Sequence, residues 1–307
     1  MPETETRCIR SPDGRTLHVR IARGNPGCSV LVMHGMPGSS LLYGNWIEDA
    51  AARGIRLVSY DRPGYGGSSP HSGHSVADCA SDVEAIADHL GMDRFGVWGW
   101  SGGGPYALAC AAMLPDRVVA AALIASVAPW GADGLDFFAG MGQDNIDSLR
   151  LYFSDPSSAR AKSMQDRDAT LATTPGQQEE MLGTLLSKTD AAVLTGKFAE
   201  WLLRAEQNGL EPGDDGWWDD GAAHLSPWGF QPESVNVPVK VWHGRQDQFV
   251  PIQHGQWLVD HIAGAASALS DTDGHLTLVT EKIGEVHEWL ISQPPRGNIA
   301  ERSDETT

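Results

Sequence analysis

The sequence predicts an α/β fold: an open, mostly parallel sheet with helices packed on its faces. Three observations carry this. Short apolar runs alternate with longer amphipathic ones through most of the 307 residues. Several short runs are nearly continuous in apolar residues, as strands buried on both faces require. Strand and helix patterns follow one another in turn, the order that builds a parallel sheet through helical crossovers. The length allows one large domain or two small ones, and 41% hydrophobic content is enough for a sizeable core.

The elements follow in order. A strand is expected over 17–22 and another over 29–33, the latter leading directly into His34-Gly35-Met36-Pro37-Gly38. A turn after a buried strand lies at the edge of the sheet where open α/β folds bind ligands. The Met36 amide is placed there as a donor to a developing oxyanion, although a His-Gly turn is also common loop chemistry. A helix over 41–53 and a strand over 56–60 come next, then Asp61-Arg62-Pro63-Gly64-Tyr65-Gly66-Gly67-Ser68. This stretch reads as a tight turn with Asp61 bonding nearby amides, and no chemistry is assigned to it. A helix is expected over 76–90.

The strand over 95–98 runs into Gly99-Trp100-Ser101-Gly102-Gly103, and a helix over 105–114 follows. A serine hydroxyl is a weak nucleophile unless a base takes its proton and its oxygen stands clear of the backbone. A sharp strand-to-helix turn provides that exposure and demands small residues at 99 and 103. It also aims the Gly102 amide, with a helix behind it, at whatever Ser101 attacks. With 35 glycines in the chain a G-x-S-x-G match arises easily by chance, so its strand and helix flanks matter more than the motif.

After a strand over 118–124 the rhythm breaks. Residues 130–235 show no strand pattern; they read as helices over 149–153, 158–172, 177–186 and 191–207, ending in an acidic, aromatic loop over 211–228. This is expected to be a helical insertion lying over one end of the sheet. It holds 18 acidic against 7 basic residues, a net −11, so it carries most of the chain's −18. A solvated helical face accounts for the charge without invoking function.

Strands return over 239–242 and 266–269, with helices over 252–262 and 276–289. Asp247 follows the first of these strands, where a carboxylate can orient a histidine, or equally cap the helix that follows. His275 follows the second and suits a general base better than His243, His254 or His261. Ser101, Asp247 and His275 therefore all fall at strand ends, in the chain order serine, acid, histidine. The last residues, 294–307, read as a disordered tail.

In the stretches 34–38, 61–68 and 99–103, in Gly244–Pro251 around Asp247 and in Gly274-His275, the chain resembles the α/β-hydrolase family over about residues 15–290. The resemblance implies an eight-stranded, mostly parallel sheet. Residues 1–129 and 236–293 would form the core, with 130–235 a helical cap inserted after the sixth strand. It implies Ser101 as nucleophile, His275 as base, Asp247 as orienting acid, and the Met36 and Gly102 amides as oxyanion donors. The H-G-x-P-G turn is similar to that of epoxide hydrolases, haloalkane dehalogenases and proline iminopeptidases. The first two use an aspartate nucleophile where this chain has Ser101, and the third usually carries different elbow and turn sequences.

The expected function is hydrolysis of a small carboxylic ester or lactone through an acyl-enzyme. C–C bond hydrolysis and cofactor-free perhydrolysis, as in haloperoxidase-like relatives, use the same residues, and a slowly turning-over ligand receptor is the reading from another class. Trp100, Trp130, Phe137, Phe138 and Trp201 are candidates to line the substrate pocket, and equally to be packing. No metal or organic cofactor is expected. The four cysteines lack ligand spacing, and Cys28 and Cys110 read as buried thiols. The net charge disfavours nucleic acid and anionic membranes as partners. No run reaches membrane-span length and Met1–Arg10 lacks a signal-peptide core, so a cytoplasmic location is expected.

Overall fold

The computed structural model describes residues 4–23 and 27–293, so the tail expected over 294–307 lies outside the described residues. Eight strands form one sheet: β1 (Thr4–Arg10), β2 (Thr16–Ala22), β3 (Cys28–Met33), β4 (Ile55–Tyr60), β5 (Phe95–Trp100), β6 (Val118–Ile124), β7 (Val239–Gly244) and β8 (Ala266–Ser270). Their spatial order is β1-β2-β4-β3-β5-β6-β7-β8. β2 pairs antiparallel with β1 and β4, and all other pairings are parallel.

Helices α1 (Gly44–Ala52), α2 (Cys79–His89) and α3 (Gly104–Met113) follow β3, β4 and β5. Between β6 and β7 the described chain is free of strands. It holds α4 (Gln143–Ser154), α5 (Pro156–Ala172), α6 (Gln178–Leu182), α7 (Lys188–Val193), α8 (Gly196–Leu210) and α9 (Asp215–His224). Helix α10 (Ile252–His261) follows β7, while α11 (His275–Glu281) and α12 (Ile283–Ser292) follow β8.

The period-2 alternation of the central strands divides the core in two. Leu31 and Met33 of β3, Val97 of β5 and Leu123 of β6 pack with α2, α3 and α10 on one face. Val30 and Val32, Trp98 and Trp100, and Ala122 and Ile124 pack with α1, α11 and α12 on the other. Because both faces are covered, these strands are apolar throughout. Alanines on β6 and α3 let helix and sheet approach closely, and α3 from Gly104 to Ala111 is fully buried.

The structure departs from the sequence reading most clearly in five places. β1 is not expected, because its residues are mostly exposed at the sheet edge and show no apolar alternation; its seven-pair register with β2 forms it. The stretch 211–228 is not simply a loop but contains α9, whose two glycines and three aspartates give poor helix propensity. Tertiary burial of Asp220, Ala223 and His224 holds it. The helix expected over 191–207 is two, α7 and α8, and that over 276–289 breaks at Lys282 into α11 and α12. Finally, Cys110 is buried but Cys28, at the start of β3, is only half-buried. Among the described residues no helix is long and apolar enough to cross a membrane, and no group of acidic, histidine and cysteine side chains has metal-site geometry.

Candidate active site

Ser101 follows β5 directly at φ +56°; only it and Ala125 combine a side chain with positive φ among the described residues. That backbone costs on the order of 1 kcal/mol for an L-residue and is maintained by its surroundings. The glycines around it are required by space. A Cβ on Gly99 would overlap the Gly103 backbone, one on Gly103 the carbonyls of Met33 and His34, and one on Gly104 the Ser126 side chain. The strand-end turn, the helix after it and the neighbouring β3 turn are therefore packed backbone to backbone.

That packing brings the Met36 and Gly102 backbones together: a Cβ built on Gly102 would lie 3.6 Å from the Met36 nitrogen. His34 braces the β3 turn from within. Its Nδ1 bonds the Gly35 carbonyl at 2.8 Å, and its Nε2 accepts from the Arg62 amide at 3.2 Å. Those partners define a neutral ring protonated on Nδ1. Burial, reinforced by the Arg62 cation, pushes the His34 pKa down to about 3.

Arg62 is the residue that sequence reasoning missed. Fully buried, it donates to the His34 and Gly35 carbonyls and forms an ion pair with Asp220 of α9, its Nη2 2.6 Å and its Nε 2.9 Å from Oδ2. The Tyr106 hydroxyl donates to the other Asp220 oxygen at 2.6 Å. Burial alone would raise the Asp220 carboxyl, but Arg62 and His74 outweigh it and hold the group far below the usual carboxylate range. The helical segment between β6 and β7 is thereby clamped to the carbonyls of the turn after β3. In sequence, Arg62 looks like one member of a glycine-rich turn, and nothing local pairs it with an aspartate 158 positions away.

Asp61 behaves as the turn chemistry suggests. Its Oδ2 accepts from the Gly67 amide at 3.0 Å and faces His18 Nδ1 at 2.8 Å, and its Oδ1 accepts from the Ser40 amide.

Asp247 and His275 meet as a buried pair, His275 Nδ1 to Asp247 Oδ2 at 2.8 Å. The other carboxyl oxygen accepts from the amides of Phe249 at 2.9 Å and Val250 at 2.8 Å. Asp247 is thus both orienting carboxylate and local cap. Phe249 stacks on the His275 ring, centroids 4.6 Å apart, a contact the sequence reading did not identify. Trp100, adjacent to Ser101, donates from its indole to the His275 carbonyl at 3.3 Å. Ser101 and His275 therefore share one strand-end region, but no hydrogen bond joins the serine hydroxyl to the imidazole among the described residues. In structures without ligand such contacts are often long. The weaker histidine candidates are engaged elsewhere: His243 with the Val250 carbonyl, His254 with Ala128 and Phe137, His261 with Trp257.

Trp130, Phe137 and Phe138 form one aromatic cluster with Phe153. Their segment is tied to the Asp247 loop by Gly142 N–H to the Gln248 carbonyl (2.8 Å) and Asn145 to the Phe249 carbonyl (3.2 Å). Trp201 packs on Trp46, centroids 4.6 Å apart, and donates to the Leu41 carbonyl. With Trp100, Ser39 and Glu206 it lines a cavity of about 20 Å³ behind the turn that follows β3, room for one water. Glu206 is buried there with one oxygen unpartnered, and burial pushes its pKa up to about 8.

His224, also missed, comes from α9 and meets the backbone at Gly102: its Cε1 would lie 3.1 Å from a Cβ at that position. Burial lowers its pKa to about 4, leaving a neutral ring beside the turn.

Comparison with known proteins bears on the family and the fold. The model of the alpha/beta hydrolase fold family matches residues 29–282. A 2-hydroxy-6-oxononadienedioate/2-hydroxy-6-oxononatrienedioate hydrolase of Klebsiella pneumoniae is 26% identical over 290 residues, covering 89% of this chain and 91% of that protein. A pimeloyl-[acyl-carrier protein] methyl ester esterase of Nitrosomonas europaea is 26% identical over 278 residues, covering 85% and 92%. The crystal structure of an esterase from Rhodococcus sp. ECU1013 superposes with a TM-score of 0.67 at 20% identity, covering 94% of this chain and 99% of that one. With a family match over most of its length and an eight-stranded sheet of the corresponding kind, this chain belongs to the alpha/beta hydrolase fold family.

Proposed function

We propose that the protein is a serine hydrolase that cleaves a small carboxylic ester or lactone through an acyl-enzyme intermediate. The observation that carries this is the buried Asp247–His275 pair, both Asp247 oxygens engaged, in the same strand-end region as a positive-φ Ser101.

The Ser101 oxygen attacks the substrate carbonyl carbon and its proton passes to Nε2 of His275. Asp247, on Nδ1, holds the ring orientation and stabilises the imidazolium. The carbonyl oxygen becomes an oxyanion and accepts from the Met36 and Gly102 amides. Such donors are worth about 3–4 kcal/mol of barrier each when preorganised. His34 and Arg62 supply that preorganisation by fixing the carbonyls of the turn. The intermediate collapses, and the leaving alkoxide takes the proton from Nε2. Water, deprotonated by His275, then attacks the acyl carbon and frees the acid and Ser101.

Residues 130–235 act as the cap, and Trp130, Phe137 and Phe138 supply an apolar wall beside the Asp247 loop. C–C bond hydrolysis is the second reading, since the Klebsiella relative is as similar to this chain as the esterase is.

The test is labelling with a fluorophosphonate, followed by a panel of p-nitrophenyl esters, lactones and a meta-cleavage dienone. Wild type is expected to label and to turn over short esters or lactones fastest. No labelling, or equal labelling of Ser101→Ala, overturns the serine-hydrolase reading. Preference for the dienone moves the protein to C–C hydrolysis.

A further inference from the structure

Asp190 lies on α7, in the segment between β6 and β7, and is completely buried. Its side chain does not serve its own helix. Oδ1 accepts from the backbone amides of Leu276 at 2.7 Å and Thr277 at 3.2 Å, and Oδ2 from the amide of His275 itself at 3.0 Å. The Ser187 hydroxyl, at the N-cap of α7, donates to Oδ2 at 2.9 Å and buttresses the carboxylate. One cap carboxylate therefore satisfies three of the free N–H groups that open α11, the helix beginning with His275.

The sequence around the histidine is shaped by this contact. A Cβ on Gly274 would overlap the Asp190 carboxyl, although its backbone is extended and otherwise tolerates any residue. The glycine before His275 is thus a space for a carboxylate from 84 positions earlier in the chain. Asp247 restrains only the tip of the imidazole, at Nδ1. Asp190 restrains the peptide from which the side chain springs, so the two carboxylates fix the ring at opposite ends.

We propose that Asp190 is a positioning residue for His275, coupling docking of the helical segment to the register of the general base. This rests on the catalytic reading of His275 given above. Displacing a catalytic group by about 1 Å can cost on the order of a hundredfold in rate, so loss of three amide contacts at its root is consequential.

The test compares wild type with Asp190→Asn, Asp190→Ala and Ser187→Ala on p-nitrophenyl acetate. Each is paired with far-UV circular dichroism and the low-field proton NMR signal of the His275 Nδ1–H bonded to Asp247. In Asp190→Ala, kcat is expected to fall by about tenfold to a hundredfold with KM within about twofold, and the low-field signal to broaden or shift while the protein stays folded. Asp190→Asn, which keeps one acceptor, should fall between. If Asp190→Ala does not fold, Ser187→Ala, which leaves the carboxylate in place and removes its buttress together with the N-cap bond from the Asp190 amide, is expected to lower kcat by several-fold with the same shift of the signal. Unchanged kcat and an unchanged signal in the folded variants overturn the proposal. Wild type that hydrolyses no ester refutes the ester-hydrolase reading instead, and the NMR comparison still decides whether Asp190 sets the histidine.

Discussion

Arg62 and Asp220 form a completely buried ion pair, 2.6 Å between Nη2 and Oδ2, and the same guanidinium holds the carbonyls of His34 and Gly35. Its importance lies in what breaking it leaves behind. Asp220→Asn would strand a cation with no route to water, at a cost of about 3–5 kcal/mol. Tyr106→Phe removes a hydroxyl that donates to Asp220 and lies 3.3 Å from His74 Nε2, leaving no charge unpaired, and should cost about 1 kcal/mol. Urea unfolding is expected to rank the two in that order. Asp220→Asn is further expected to lose more of the proposed ester hydrolysis than its unfolded fraction explains, because the turn after β3 loses its clamp.

Glu206 makes the pH dependence of stability readable. Burial raises its folded pKa to about 8, from the ordinary 4.5 of an exposed glutamate. Below the lower value both states hold the proton, and nothing is lost. As pH climbs toward the upper one the unfolded chain gives up its proton while the folded one keeps it, so stability falls; above it the penalty is constant. Glu206→Gln should therefore match wild type near pH 4 and exceed it by a few kcal/mol at pH 8. Parallel stability curves for the two proteins over that range would show that Glu206 is not buried as described.

Two glycine substitutions should have opposite signs. Gly103→Ala drives a Cβ into the carbonyls of Met33 and His34, backbone that cannot step aside, and is expected to cost at least about 3 kcal/mol. Gly221→Ala, inside α9 with open space at the Cβ position, should stabilise by about 0.5–1 kcal/mol. Thermal melts of both variants beside wild type check the contrast.

The cysteines should react in an order set by burial. Cys8 is exposed, Cys28 half-buried with a thiol pKa raised by burial, and Cys79 and Cys110 buried. A native thiol titration with Ellman's reagent is expected to consume Cys8 quickly and Cys28 slowly. Cys79 and Cys110 should react only after unfolding, since thiolate formation requires access and solvation. Rapid reaction of all four would mean that the α2–α3 face opens.

Much of the sheet is legible in the sequence because its inner strands are buried on both faces. Burial there writes itself as unbroken apolar runs, and β3, β4 and β6 read to within a residue at each end. β1 is the counter-example. A strand with little to bury leaves no periodic trace, and only its pairing with β2 reveals it. The same logic explains α9, where the intrinsic preference opposes the helix and the contacts of Asp220, Ala223 and His224 impose it.

The sequence by itself determined the candidates Ser101, Asp247 and His275 and their setting at strand ends. It also marked the glycine positions of the elbow and a strandless, acidic segment between two strands. Each is a local matter of residue type, spacing and period. Only the tertiary structure decided how those parts are held. Arg62 on Asp220, Asp190 on the root of His275, and His224 beside Gly102 are contacts between positions far apart in the chain. A buried charge or an open helix end needs a partner of the right chemistry but sets no rule for its sequence position, so that partner is visible only once the chain has folded.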